Sequence, residues 1–245
     1  MRLDKFLAES SVGMRKNVRN YIKEGMVTVN GEVITEHAIE INESSDVIEY
    51  LSKVVEYTGK VYYMFNKPAG YITARVDTVN KTVFDFFDDV NMNGVFHVGR
   101  LDKDTEGLLL LTNDGEFEHQ LMYPQKHVCK TYLFWALGSL DEEDRMKLEQ
   151  GICMGKGETQ TKPAKIEVQK CGMLDSNHYN QPVVSGYLTI SEGRKHQVKR
   201  MLKAVGCYVV YLKRVSIGGL MLNESLKKGQ YRALTEVEIG KVLGE

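Results

Sequence analysis

The sequence has little of what disulfide-rich proteins and cofactor enzymes need. Its four cysteines lie far apart, without a Cys-x-x-Cys pair. They therefore predict reduced thiols, and neither a disulfide framework nor a zinc site. There is no His-x-x-x-His pair and no Walker-type phosphate loop, so no metal and no nucleotide cofactor is expected.

Long apolar runs are also missing. No stretch approaches the ~20 apolar residues that span a bilayer, and Met1–Lys5 does not resemble the start of a signal peptide. We therefore expect a cytoplasmic protein without a membrane partner. The chain of 245 residues is 42% hydrophobic and 27% charged, which is typical of a soluble globular protein with one sizeable core or two modest ones.

The formal net charge of −1 conceals an uneven distribution. Residues 1–25 carry six basic and three acidic side chains, and residues 194–214 carry seven basic side chains and no acidic one. Residues 32–56 hold seven acidic side chains against one lysine. Local basic patches, more than net charge, indicate a nucleic-acid partner.

The stretch 99–115 carries the strongest local signal. A charged, glycine-bounded loop leads into four leucines, which end at a turn formed by Asn113, Asp114 and Gly115. A short apolar run between turn formers predicts a strand buried on both faces. Arg100 and Asp102 would then lie just before a rigid strand, which is the support that a reacting group needs.

The order Gly-Arg-Leu-Asp-x-Asp-Thr-x-Gly-Leu over residues 99–108 resembles the signature of the RNA pseudouridine synthases that act on ribosomal RNA. The resemblance implies that Asp102 is the catalytic carboxylate and that Arg100 supports it. It also implies an isomerisation that needs no cofactor. The carboxylate could act as a nucleophile or as a base, and the sequence leaves both roles open.

Two further motifs fit the same family. Lys130-Thr131-Tyr132 resembles its second motif, which implies that Tyr132 packs on the target base. Residues 193–199 resemble its third motif, which implies that Lys199 is the cation beside the carboxylate and that Leu212 floors the uracil pocket. A lysine at position 199, where other branches have arginine, fits the small-subunit branch, the RsuA family. As bare patterns, Tyr132 and Leu212 would be core residues.

Residues 1–48 form a small unit of their own. Apolar residues recur at helical spacing around Phe6 and again around Val18, and Asn30-Gly31 lies between two β-branched runs, which predicts a hairpin. The unit resembles the S4 RNA-binding domain. The RNA-binding residues expected here and in the catalytic unit are Arg2, Lys5, Arg15, Arg19, Lys23, Lys67, Arg194, Lys195, His196, Gln197, Arg200 and Lys203.

The predicted organisation is an S4-like domain and linker over residues 1–57 and a catalytic domain over residues 58–245. The fold class is α+β, with an N-terminal αα-hairpin domain and a mostly antiparallel sheet flanked by helices. Within the second domain we expect a short helix capped by Thr82, a loop over residues 171–182 and a helix that starts near Glu192 and stops at Gly206.

These observations predict a monomeric enzyme that converts a uridine of 16S rRNA into pseudouridine, in free rRNA or in a ribosome-assembly intermediate. The same chemistry on 23S rRNA is the main alternative. A non-catalytic RNA-binding protein of ribosome assembly would need only the N-terminal unit. A glycosidase would use Asp102 and Asp104 as a carboxylate pair.

Overall fold

The computed structural model describes residues 1–88, 91–176 and 179–244. The N-terminal unit contains two helices and a small antiparallel sheet in the order β2-β1-β3-β4. Its elements are α1 (Leu3–Glu9), α2 (Arg15–Lys23), β1 (Val27–Val29), β2 (Glu32–Val33), β3 (Ile48–Tyr50) and β4 (Lys53–Val54). The two expected helices and the hairpin are confirmed.

The hairpin turn follows from its two central residues. Asn30 and Gly31 have φ values of 53° and 83°, as a type I′ turn requires, and β1 pairs with β2 on either side of them. Strands β3 and β4 lie in the polar, acidic segment that leads to the predicted domain boundary. Ile48, 1% exposed, shows that this polar segment still contributes a core side chain.

The larger domain contains the remaining elements. Its strands are β5 (Tyr62–Lys67), β6 (Phe96–Val98), β7 (Glu106–Thr112), β8 (Lys130–Leu137), β9 (Lys165–Ser176), β10 (Tyr179–Ile190), β11 (Tyr208–Ile217), β12 (Leu220–Met221) and β13 (Tyr231–Ala233). Its α-helices are α3 (Gly115–Met122), α4 (Glu142–Gln150), α5 (Gln197–Ala204) and α6 (Glu236–Leu243), and 3₁₀ turns occupy Val83–Phe86 and Pro124–Lys126.

These strands form one sheet in the order β13-β5-β7-β11-β8-β10-β9, with β6 paired to β7 and β12 to β11. Among the described strands, β7 and β11 form the one parallel pair. The α+β class with a mostly antiparallel sheet is confirmed. The longest described helices have nine residues, too short to cross a bilayer.

The leucine run is the centre of this sheet. All four leucines of β7 are fully buried, as expected for a strand covered on both faces. Leu109 and Leu111 pack in one cluster, which also contains residues of α5, while Leu108 and Leu110 pack in another with residues of α3 and α6. Helices therefore cover both faces of the strand that follows the Asp102 loop.

Two predicted elements of this domain were wrong. Residues 171–176 and 179–182 belong to the long strands β9 and β10, so the expected loop over 171–182 does not exist as such; residues 177 and 178 lie outside the described residues. Pairing along the neighbouring strand overrides a composition that favours turns. The helix expected from Glu192 begins only at Gln197, because His196 has a left-handed backbone with φ 52°.

The two units contact each other at the far end of β7. The side chain of Asn113 donates to the main-chain oxygens of Glu9 and Gly59, at 3.0 and 2.9 Å. A Cβ on Gly94 would lie 2.6 Å from the carbonyl oxygen of Ala8, so only glycine fits where the units meet. Tyr57, just before the predicted boundary, donates to the carboxylate of Glu9 at 2.6 Å.

One buried carboxylate ties the two N-terminal helices together. Asp4 in α1 is fully buried and accepts hydrogen bonds from Arg15 and Arg19 of α2, at 2.9 and 2.8 Å, and from Arg2 at 3.2 Å. Burial opposes the charge, but the two hydrogen-bonded arginines outweigh it and lower the pKa of Asp4 to about 2.

Asp4→Asn should reduce the free energy of unfolding by about 2 kcal/mol at neutral pH, since the folded-state pKa lies below the ordinary value near 3.9. The carboxylate stabilises the fold fully when the pH lies above that ordinary pKa. This contribution is lost as the pH falls towards the folded-state pKa of about 2. Urea unfolding of the wild type and Asp4→Asn between pH 7 and pH 3 should therefore show a difference in the free energy of unfolding that decreases only below about pH 4. Asp88 is exposed, and Asp88→Asn is the control. A difference between the wild type and Asp4→Asn that is the same at pH 3 as at pH 7 would contradict this interpretation.

Candidate active site

The loop between β6 and β7 presents Asp102 at the mouth of a cleft. Leu101 is buried, and its main-chain nitrogen and oxygen both bond to the hydroxyl of Thr73, at 3.1 and 2.8 Å. The amide of Thr105 donates to the carbonyl oxygen of Asp102 at 3.1 Å and closes the turn. The anchored leucine leaves the side chains of Arg100 and Asp102 lining the cleft.

Lys67 fixes this loop from below. Its ammonium donates to the main-chain oxygens of Thr105, Asp102 and Lys103, at 2.8, 3.0 and 3.3 Å, and to that of Pro68. Burial lowers the pKa of Lys67 to about 8, although nearby carboxylates favour its charged form. The expectation that Lys67 contacts RNA is wrong, because its side chain is fully buried.

The carboxylate of Asp102 faces two cationic or potentially cationic groups. The Nζ atom of Lys199, in the first turn of α5, lies 3.5 Å from Oδ2 of Asp102 and 2.5 Å from Oδ1 of Asp104. The Nε2 atom of His196 lies 3.6 Å from Oδ1 of Asp102. Burial opposes ionisation of Asp104, but the hydrogen bond from Lys199 outweighs it and lowers the pKa of that carboxyl. Lys199 is therefore shared by the two carboxylates.

The cleft has a volume of about 810 Å³ and an apolar floor. Tyr132 from β8 and Leu212 from β11 both line it, and both are more than 90% buried. Asp102, Arg100, Tyr132, Lys199 and Leu212 thus share one cleft, although they are up to 112 positions apart in the sequence. Asp104 does not line it.

Two cleft residues escaped the sequence reasoning. Lys130 and Arg214 line the cleft beside Tyr132 and Leu212 and are 9% and 2% exposed. The period of two along a strand could have found them, since residues 130 and 132, like 212 and 214, lie on the same face.

The basic residues expected to bind RNA fall into three groups. Lys23, Lys195, His196 and Lys203 are exposed. Arg2, Arg15 and Arg19 hold Asp4 but remain 40–45% exposed, while Lys5 and Arg200 contact acidic side chains.

The third group builds the turn before α5. Arg194 donates to the carbonyl oxygens of Thr159 and Gln160, and Gln197 bonds to the carboxylate of Glu192. Gln197 is 3% exposed and lines the cleft, so its expected contact with RNA remains a prediction. Lys195 precedes α5, so it does not share a helix face with Lys199 and Lys203 of that helix.

Lys67→Met should loosen the loop, because the substitution keeps the apolar stem and leaves buried carbonyl oxygens without a donor. We expect a loss of about 2 kcal/mol in the free energy of unfolding and faster amide exchange over residues 101–106. Urea unfolding and hydrogen exchange measure the two effects. The exposed Lys81→Met is the matched control. Unchanged exchange in this segment would show that the ammonium does not hold the loop.

Comparison with known proteins gives the same picture for both units. A family model described as RNA pseudouridylate synthase matches residues 61–204, and one described as S4 domain matches residues 1–47. A solved structure of a pseudouridylate synthase is 37% identical to this chain, with a TM-score of 0.66 and 99% coverage of both chains.

Curated relatives match over nearly the full length. Ribosomal small subunit pseudouridine synthase A is 39% identical in Haemophilus influenzae, over 99% of this chain and 100% of the relative. The protein of that name in Escherichia coli is 37% identical over the same shares. An uncharacterized RNA pseudouridine synthase of Bacillus subtilis is 42% identical over 98% of this chain and 97% of its own length. The chain belongs to the RNA pseudouridine synthase family, with an S4 domain at its N-terminus.

Proposed function

We propose that the protein isomerises a uridine of 16S rRNA to pseudouridine, with Asp102 as the catalytic carboxylate. The observation that carries the proposal is the position of Asp102, on an anchored loop beside Lys199 and above the floor formed by Tyr132 and Leu212. Two full-length relatives named for the small ribosomal subunit support that substrate.

The reaction needs an ionised carboxylate at a defined place. The bond from uracil N1 to ribose C1′ breaks, the base turns, and C1′ bonds to C5. The hydrogen of C5 is then lost, and N1 gains one. Asp102 acts as nucleophile or as base in this sequence, and either role requires its negative charge. The ammonium of Lys199 lies 3.5 Å from Oδ2 of Asp102 and forms an ion pair with it.

The target base has to leave its stack to reach this carboxylate. The ring of Tyr132 and the side chain of Leu212 offer it an aromatic and an aliphatic surface inside the cleft. Arg100, Lys103 and Lys195 are exposed where the cleft opens and can bind phosphates of the flanking nucleotides. The S4 unit carries further exposed arginines, Arg15 and Arg19, that can bind RNA phosphates.

The glycosidase alternative fits the geometry poorly. Asp104 lies outside the cleft and hydrogen-bonds to Lys199, so it does not face a substrate held by Asp102. A purely RNA-binding role would leave the anchored loop and the closed floor of the cleft without a use. The same chemistry on 23S rRNA remains the alternative substrate that the experiment must compare.

Asp102→Asn should fold and bind rRNA like the wild type and form no pseudouridine, because the amide keeps the shape and removes the charge. Pseudouridine is measured in transcribed 16S rRNA, 23S rRNA and an assembly particle. Product from this variant would contradict the catalytic role of Asp102. Wild-type product in 23S rRNA alone would falsify the 16S rRNA substrate.

Two neighbours serve as matched controls for that experiment. Asp104→Asn should retain most activity, since Lys199 can still pair with Asp102. Lys199→Met should lose part of the activity, because it removes the ion-pair partner of Asp102 and leaves the reacting group in place. Loss of product from Asp104→Asn alone would show that Asp104, and not Asp102, is the reacting carboxylate.

Deletion of residues 1–57 should leave a folded domain that keeps the chemistry and binds rRNA weakly. The Asp102 cleft and both clusters that cover β7 consist of residues after 60. The truncated protein should need much more RNA for half-maximal rate, and its affinity should depend less on salt. Equal activity and equal salt slopes in both forms would show that the S4 unit does not hold the substrate.

A further inference from the structure

Four buried residues that line the cleft come from one face of two paired strands: Lys130, Tyr132, Leu212 and Arg214. Arg214 of β11 lies opposite Tyr132 of β8 in the sheet register. Its Cζ atom lies 6.0 Å from the centroid of the tyrosine ring, and its Nη1 lies 3.5 Å from the tyrosine hydroxyl. Lys130 and Leu212 flank this pair, two residues away on either strand.

Arg214 is held in place but not satisfied. It is 2% exposed, and its Nε donates to the carbonyl oxygen of Leu108 at 2.7 Å. Its Nη2 atom is buried and has no hydrogen-bond partner among the described residues. A buried cationic donor without a partner is costly, so a ligand that supplies an acceptor there gains a strong interaction.

Lys130 adds a second buried cation. It is 9% exposed, and its ammonium donates to the carbonyl oxygen of Val128 at 3.0 Å. Burial and then the charge of Arg214 lower the pKa of Lys130 to about 8. No carboxylate of the described residues forms an ion pair with Lys130 or Arg214. A ligand that binds this part of the cleft should therefore bring an electron-rich oxygen that accepts hydrogen bonds from the two cations.

The position of the two cations decides which oxygen reaches them. A backbone phosphate stays joined to the RNA strand, and exposed Arg100, Lys103 and Lys195 meet it at the mouth of the cleft. The buried pair lies next to the ring of Tyr132 and the side chain of Leu212, where a flat base fits. The uracil ring carries two carbonyl oxygens, O2 and O4.

We propose that Arg214, assisted by Lys130, donates to a carbonyl oxygen of the target uracil. This inference rests on the proposed function. When the bond from N1 to C1′ breaks, its electron pair stays on the uracil and spreads over O2 and O4. It is returned when C1′ bonds to C5 and the C5 hydrogen is replaced by one on N1. Fixed donors at that oxygen stabilise the charge while the base is detached.

The contact would also contribute to base specificity. Cytosine has an amino group in place of O4, so a cation that binds O4 would face hydrogen-bond donors instead of an acceptor. A site that leaves buried polar groups unpaired rejects the wrong substrate strongly. If the oxygen is O2, which cytosine shares, the contact acts on rate without selecting the base.

The experiment replaces one oxygen of the target uridine at a time. The modified position is mapped first, and rRNA fragments then carry uridine, 2-thiouridine or 4-thiouridine there. Single-turnover rates are measured for the wild type, Arg214→Gln and Lys130→Met. One thio substitution should slow the wild type about tenfold, because sulfur is a poor acceptor. Arg214→Gln should itself be about tenfold to a hundredfold slower on uridine and show little further loss with that thio substrate.

Arg75→Gln is the matched control. Arg75 is also partly buried and donates to a main-chain oxygen, that of Val95, but it lies outside the cleft. This variant should keep the wild-type ratio between uridine and the thio substrates. If Arg214→Gln does not fold, Lys130→Met carries the test, with a smaller loss of rate and a reduced thio penalty.

Other outcomes overturn the inference. An equal thio penalty in wild type and both cleft variants, or no penalty in the wild type, excludes the carbonyl contact. An unchanged penalty together with a salt slope reduced by about one in Arg214→Gln assigns the arginine to a phosphate. If the wild type forms no pseudouridine in any rRNA, the proposed function fails. NMR titration with uridine and cytidine monophosphates then tests the contact alone, and identical affinities in wild type and Arg214→Gln would exclude it.

Discussion

The ammonium of Lys67 lies beneath the Asp102 loop and donates to the main-chain oxygens of Asp102, Lys103 and Thr105. Because one cation binds three carbonyl oxygens within residues 102–105, these carbonyl groups point inward, and the side chains of Asp102, Lys103 and Thr105 line the cleft. Burying a charge this deeply opposes folding unless its hydrogen bonds are made, and here the loop makes them. The loop carbonyl groups therefore satisfy the buried ammonium of Lys67, and the ammonium holds the loop in place. The position of the carboxylate is a property of the backbone and does not depend on the substrate.

The second constraint is electrostatic and concerns Lys199. Its ammonium lies closer to Asp104 than to Asp102, at 2.5 against 3.5 Å. Asp104, which lies outside the cleft, thus anchors the ammonium of Lys199. Asp102, which lines the cleft, keeps room for a substrate. Helix α5 makes this possible, since its buried stripe of Val198, Met201 and Leu202 fixes the helix on the sheet and turns Lys199 towards the loop. The left-handed residue His196 sets where the helix begins and brings its own ring to 3.6 Å from Asp102.

Local sequence patterns predicted much of this arrangement and missed its long-range parts for physical reasons. The strand of four leucines, the Asn30-Gly31 turn and the Thr82 cap follow from short-range rules, and the structure contains all three. Lys67 was expected to bind RNA, but its ammonium is buried, and the loop carbonyl groups that bind it come from residues 35 to 38 positions away, which no local pattern shows. Lys130 and Arg214 come together only when β8 and β11 pair, although the period of two within each strand already places them on the faces of Tyr132 and Leu212.

Strand β7 also connects the Asp102 loop with the S4 unit. At one end it continues from the Asp102 loop, and at the other Asn113 binds the main chain of Glu9 in the S4 unit. Seven extended residues span about 20 Å, and all seven are buried, with helices packed over both faces. Such a strand does not bend or slip without breaking both clusters, because packed cores deform little. The distance between the S4 unit and Asp102 is therefore fixed by the same residues that form the core. If the S4 unit holds rRNA as proposed, the RNA meets the cleft at a set spacing, and its shape contributes to substrate selection.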